Sequence, residues 1–462
     1  MSKTMKKLLF SIATFCTLSF LTGIIYRINM RGLSLKQNSK TATMIMTTWP
    51  KTTHQDKELH TLLKLTEWPL PLLNTSLEFS TYPRTSIYFL LHPRSTYVVG
   101  EKLEVLIIAK DHKGRTKSYG GDYFHAKLHS PSLKAGVSGS VSDNYNGTYT
   151  ASFILQWPGE TMVSIKLMHS SEAIAILHEK RSTRPDKVFF KGYFFKNGTE
   201  EVVECNFNLP GQDVCEYYDS RNEEKWVCKR PKTLPCEALR DHSSGGNRHI
   251  LSIEEKKFFS MSLIEQEISS KVKSFNVLPQ KDDIKALKQI DLHVTHNPGP
   301  LLATDSEHNY IVQWRVHQKP LRMERTGVQE LHYVATELDG LGARKGMVIV
   351  LTCWSHFLTY PLAFYVRRLK HIREAVIQLL ERSPDTKILI KSANTGYKFD
   401  HGSDWLSYQL DTVMRAMFST LPVTILDVWQ MTSCHRLPEN LHPQEIIIKN
   451  EVDLMLSFIC PQ

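Results

Sequence analysis

The sequence predicts two folded units in tandem, an immunoglobulin-like β-sandwich followed by a parallel α/β domain. Three observations carry that expectation. The chain has 462 residues, too many for one compact core. Its first half holds short alternating runs separated by turn residues, the pattern of a sandwich. Past about Lys285, strand-like and helix-like runs alternate, which means a parallel sheet with helices on its faces.

The chain opens with an uncharged, largely apolar run, Leu8 to Tyr26, preceded by Lys3, Lys6 and Lys7 and followed by Arg27 and Arg31. Its nineteen residues are long for a cleaved signal core and just long enough to span a bilayer. The lysines bias the amino terminus toward the cytosol. Residues 1–31 are therefore expected to be a type II signal anchor, with a cleaved signal peptide as the alternative. Either way the remainder enters the secretory lumen, and the membrane is met only through this segment. Residues 32–82, polar and without sustained periodicity, read as a stalk.

The sandwich is assigned to 83–185, with strand patterns at Ser86–Leu90, Lys102–Ala109, Tyr149–Leu155 and Thr161–Leu167. Gly120-Gly121-Asp122 and Asn146-Gly147 supply the turns. Residues 186–250 read as a cysteine-rich connector, with Gly245-Gly246 as a loop. A Ser252/Glu255 capping pair opens a predicted helix over Ile253–Ile264. In the α/β domain, 251–462, the strands are expected at Met347–Thr352, Lys387–Ile390 and Val423–Leu426. Helices are expected at Tyr365–Leu380, Trp405–Met417 and Glu445–Ile459.

Composition narrows the function. Net charge is +10, but no Lys/Arg stripe interleaves with aromatics, so a nucleic-acid partner is not expected. Three sequons, at Asn74, Asn146 and Asn197, suit a lumenal glycoprotein. Outside the apolar run lie Cys205, Cys215, Cys228, Cys236, Cys353, Cys434 and Cys460. In an oxidising space the first four are expected to form two disulfides, with three connectivities open. Their spacing lacks paired Cys-x-x-Cys, so no metal site is expected.

Ligands of parallel α/β sheets bind at the carboxyl ends of the strands. That edge carries Thr352-Cys353-Trp354-Ser355-His356, Lys391-Ser392-Ala393-Asn394 and Asp427-Val428-Trp429. The loop Glu439-Asn440-Leu441-His442 follows, and a carboxylate three residues before a histidine suits the base half of a Ser-His-Asp machine. Asp427 is the alternative orienting carboxylate. No Gly-Asp-Ser and no Gly-x-Ser-x-Gly occurs, so the attacking serine is missing. Ser306 and Ser355 lack the glycine a nucleophile turn needs, and Cys353 in the lumen is read as a disulfide partner.

Two segments together resemble a known family. Gly120-Gly121-Asp122, Asp143–Tyr149 and His169–Ala173 look like the neurexophilin-type domain. Ile425–Thr432, Leu441-His442-Pro443 and Asn450–Cys460 look like a PC-esterase domain. That order resembles the neurexophilin and PC-esterase domain (NXPE) family over nearly the whole lumenal chain. The resemblance implies an SGNH-hydrolase-like fold, incomplete here, of a class that moves acetyl groups on glycan hydroxyls, sialic acids included. It implies His442 as general base, Glu439 as its carboxylate and His356 at a Gly-x-His position whose glycine is Trp354. The Gly-Asp-Ser segment that precedes the region matching Ile290–His293 is skipped. An enzyme without its nucleophile is expected to be inactive; acetyl-CoA would be an acyl donor only in an active form, and no other cofactor is implied. The expected partner is a glycan or an extracellular protein, and the expected location is the Golgi membrane or the extracellular space.

Overall fold

The structure is a computed structural model that describes residues 21–27, 55–71, 76–133, 135–211, 213–220, 222–270, 274–278, 301–305, 310–316, 321, 325–331, 333–396, 398–399, 402–434 and 440–459. Leu21–Arg27, at the end of the apolar run and just past it, is β1, a strand of the carboxyl-terminal sheet; the rest of the expected anchor lies outside the described residues. A short apolar run does not reveal by periodicity alone whether it is strand or helix. No helix among the described residues is long and apolar enough to cross a membrane. The segment read as a stalk also folds in part, as the helix Gln55–Lys64, with Leu62 buried and the Thr66 carbonyl accepting from Gln409 Nε2 at 2.9 Å.

The first unit comprises β2 (Ile87–Leu90), β3 (Thr96–Val98), β4 (Lys102–Ile108), β5 (Tyr123–Ser130), β6 (Ala135–Asp143), β7 (Thr148–Ile154) and β8 (Gly159–His169). Each predicted strand pattern forms, with ends shifted by a residue or two. Alternate residues of β4, β5, β7 and β8 meet in one core, among them Val105, Ile107, Leu128, Ala151, Phe153 and Ile165. The sheet curls so that its two halves, joined through β6, enclose that core.

The turn glycines have a specific purpose. A Cβ on Gly120 would lie 2.1 Å from an Asp143 carboxylate oxygen, and that carboxylate accepts Gly121 N at 2.7 Å. The freed backbone aims Asp122 inward, where Thr81 Oγ1 (2.8 Å), Tyr149 Oη (2.9 Å) and Ser171 N (2.7 Å) donate to it. Ser171 begins the helix Ser171–Thr183, so Asp122 ties the sandwich to that helix. Burial and the nearby Glu172 push the Asp122 carboxyl up from 3.8 to about 6, against the pull of Lys117. A carboxyl whose folded pKa is raised stabilises the fold fully below its unfolded pKa, and that contribution disappears as pH rises through the folded value. Relative to Asp122→Asn, which stays neutral, the wild-type chain is expected to lose about 3 kcal/mol between pH 3 and pH 7.5. Urea titrations of the two chains at both pH values measure it, and an unchanged difference would show that the carboxyl does not titrate in this window.

The connector is itself a sheet, which corrects the loop reading. It contains β9 (Val188–Lys196), β10 (Thr199–Asn206), β11 (Val214–Asp219), β12 (Glu224–Lys229) and β13 (Leu239–Asn247). Cys205 pairs with Cys228 and Cys215 with Cys236 in disulfides. Gly245 lies inside β13 at a register shift, and a Cβ there would meet Phe189 O at 2.4 Å. The helix after Ser252 stops at Lys257, its capping box intact. Residues then return to the sandwich as β14 (Gln266–Glu267), β15 (Ser269–Ser270) and β16 (Ser274–Leu278), pairing with β8, β2 and with both β3 and β8.

The last sheet contains β17 (Leu301–Asp305), β18 (Tyr310–Val316), β20 (Val348–Leu351), β21 (Lys387–Lys391) and β24 (Val423–Leu426). The small pieces β19 (Thr326–Gly327), β22 (Lys398–Phe399) and β23 (Gly402–Ser403) lie outside it. Its order is β17-β18-β1-β20-β21-β24. Only β20, β21 and β24 run parallel, so the predicted parallel sheet is half mixed. The helices Leu362–Arg382 and Asp404–Phe418 make the crossovers, and Glu445–Ile459 packs Met455 and Ile459 near Val348, Leu389 and Leu426.

Candidate active site

The three parallel strands end on one edge, and the sequence-selected residues are there. After β20 the chain is buried through Cys353 and Trp354 and makes one tight turn, Ser355–Phe357. Tyr365 Oη donates to the Cys353 carbonyl at 2.8 Å. Burial pushes the Cys353 thiol up to about 12, which removes its thiolate at neutral pH. It is a free cysteine, correcting the disulfide reading, as is Cys434; Cys460 lies outside the described residues. Trp354 packs into the core. Ser355 is 3% exposed and its Oγ is buried without a hydrogen-bond partner. His356 is half-buried.

After β21, Ser392 Oγ accepts from Val428 N (2.9 Å) and Trp429 N (3.1 Å), joining the ends of β21 and β24. Asn394 Nδ2 donates to the Leu441 carbonyl at 3.3 Å, the residue before His442. Gly396 has φ of 110°, and a Cβ there would lie 2.6 Å from Asn440 C, so only glycine lets the His442 loop lie this close. Asn440 Oδ1 accepts from His442 N at 3.1 Å, and His442 is half-buried. Glu439 lies outside the described residues, as do Ser306 and Asn74. Asp427 is engaged by Arg415 Nη2 at 3.1 Å, and Arg415 Nε also bonds Asp411 at 2.6 Å, so Asp427 belongs to a surface pair.

The sequence reading missed one support of this loop. Lys391 Nζ donates to Asn394 Oδ1 and lies 3.6 Å from Glu451 of the closing helix. Burial raises the Glu451 carboxyl, with Lys391 opposing. The signal was present, a charged residue between Ile448 and Val452 on the buried face of the helix.

On the other side of β20 stands β1, antiparallel to it, with Gly23 opposite Val350. A nucleophile turn leaves the carboxyl end of a strand and enters a helix. An antiparallel neighbour brings its amino end to this edge and supplies no such turn.

Two family models match. Residues 54–253 match the neurexophilin model, and residues 273–460 match the model of the NXPE family member 4-like C-terminal domain. The chain belongs to the NXPE family. Both matches follow the structure: the first covers β2 to β8 and the strands β9 to β13, and the second begins just before β16 and runs through the strand-end site. Among solved structures, the Escherichia coli adhesin FdeC is similar at 13% identity over 43% of this chain, with a TM-score of 0.17. The chain covers 65% of that structure's length, and the likeness carries no fold assignment.

Proposed function

We propose that this chain is a secretory-pathway NXPE glycoprotein whose carboxyl-terminal domain keeps the acyltransferase and esterase architecture without the chemistry. One observation supports it most. Among the described residues, the cysteine and serines at the strand ends are not presented for attack: Cys353 is buried with a raised pKa, Ser355 Oγ is buried, and Ser392 Oγ holds two backbone N–H groups. A base such as His442 then has no proton to take. Asn146 and Asn197 are exposed at hairpin turns, which suits glycan acceptors in a lumenal protein.

A fluorophosphonate, which phosphonylates activated serines with loss of fluoride, tests the reading. No labelling of the folded chain above a heat-denatured control is expected. Stoichiometric labelling, lost in Ser355→Ala, would overturn it.

The second reading is a binding module for a glycan or an extracellular protein. Tyr408 is 41% exposed and packs 5.9 Å from Trp429, whose strand end also borders the His442 loop. Partly exposed aromatic faces on adjacent helices suit ring stacking.

A further inference from the structure

The cysteine-rich sheet buries a histidine that bonds to nothing. His242 on β13 is 0% exposed, and neither Nδ1 nor Nε2 has a hydrogen-bond partner. Orphaned buried polar groups are rare enough to need a cause. Its ring packs edge-on against Phe190 (4.9 Å) and Trp226 (5.4 Å). In register it faces Gly192 of β9, which faces Val203 of β10, two residues from Cys205. All of these project from one side of the sheet. A Cβ on Gly192 would lie 2.5 Å from Cys205 Sγ and 3.2 Å from Cys228 Sγ. With no side chain between them, the ligand atoms of Cys205, Cys228 and His242 all lie within 4.8 Å of one another.

We propose that the reduced chain holds one Zn²⁺ through Cys205, Cys228 and His242, and that closing the Cys205–Cys228 disulfide expels it. Two thiolates and an imidazole are a zinc donor set, with a water in the fourth position. Two thiolates also neutralise the cation, which burial demands. The redox step balances. A dithiol reductant passes two electrons to the Cys205–Cys228 bond and becomes a disulfide; the protein gains two thiols, whose two protons leave when zinc binds. Oxidation by a disulfide reverses this and frees the metal. A chain entering the lumen reduced would thus have β10, β12 and β13 clipped together by metal before the covalent bond forms.

The test uses the full-length chain, reduced with a phosphine under argon and titrated with Co²⁺ as a spectroscopic probe. The expected result is one Co²⁺ per chain with a thiolate-to-cobalt charge-transfer band that Zn²⁺ bleaches. The band should persist in Cys215→Ser/Cys236→Ser and vanish in Cys205→Ser/Cys228→Ser. His242→Gln should weaken binding by at least about tenfold. Absence of the band in the reduced wild-type chain, whether or not it stays folded, overturns the proposal. Equal affinity in His242→Gln does so as well, leaving the histidine as core packing only.

Discussion

Arg368→Met is expected to destabilise the folded chain by about 3–5 kcal/mol. Arg368 lies on the helix between β20 and β21, and Glu224 begins β12 of the cysteine-rich sheet. Both side chains are buried, and the guanidinium meets the carboxylate through two nitrogens, one at 2.8 Å. Burial works against the charge on Arg368, and Glu224 outweighs it, so the guanidinium pKa stays above its ordinary value. Removing the arginine strands a carboxylate in the interior between two domains. Replacing both partners with apolar residues of similar size should restore most of the loss, since a buried pair contributes little beyond compensating its own desolvation. Denaturant unfolding of Arg368→Met, Glu224→Leu and the combined chain measures all three. A single variant within about 0.5 kcal/mol of wild type would mean that water reaches the pair.

Removal of Cys205–Cys228 by a double alanine substitution is expected to cost about 2–5 kcal/mol. The bond closes a separation of 23 residues, and that of Cys215–Cys236 closes 21, so the chain-entropy effect of each is on the order of 3 kcal/mol. Because β11 and β12 present Asp219 and Glu224 to the α/β domain, loss of this bond should also loosen Arg368. Asp219 accepts from Tyr333 Oη at 2.6 Å on that side. The substitution and Arg368→Met should therefore combine non-additively. Thermal unfolding under non-reducing conditions reads both effects. Two fully additive losses would show that the sheet and the helix are held independently.

Much of this was legible in the sequence because the decisive elements are strongly periodic. The run Lys102–Ile108 became a strand with alternate residues buried, and Glu445–Ile459 a helix that buries one face, while Val423–Leu426 became a strand in which only Leu426 is fully buried. The cysteine-rich sheet was not legible. Its strand β13 reads Leu-Arg-Asp-His-Ser-Ser-Gly-Gly-Asn, a polar and glycine-rich string with a register shift opposite Phe189. The strand Leu21–Arg27 was not legible, because a short apolar run does not tell strand from helix by periodicity alone. At the site, the strand-end positions of His356 and His442 were legible from the order of strands and helices. Glu451 was marked by its place on the buried face of the closing helix, but its partner Lys391, at the end of a strand sixty residues earlier, depends on a packing contact that no local pattern encodes.

The central claim is that this NXPE chain moves no acyl group. Its most direct test is an acetyl-transfer assay with purified full-length chain, acetyl-CoA and a sialylated glycan acceptor, read by mass spectrometry of the acceptor. No acetylation above the buffer control is expected, and His442→Ala should give the same null result. Acetylated acceptor that accumulates with the wild-type chain and disappears with His442→Ala would contradict the account and return Ser355 or Cys353 to consideration as the attacking group.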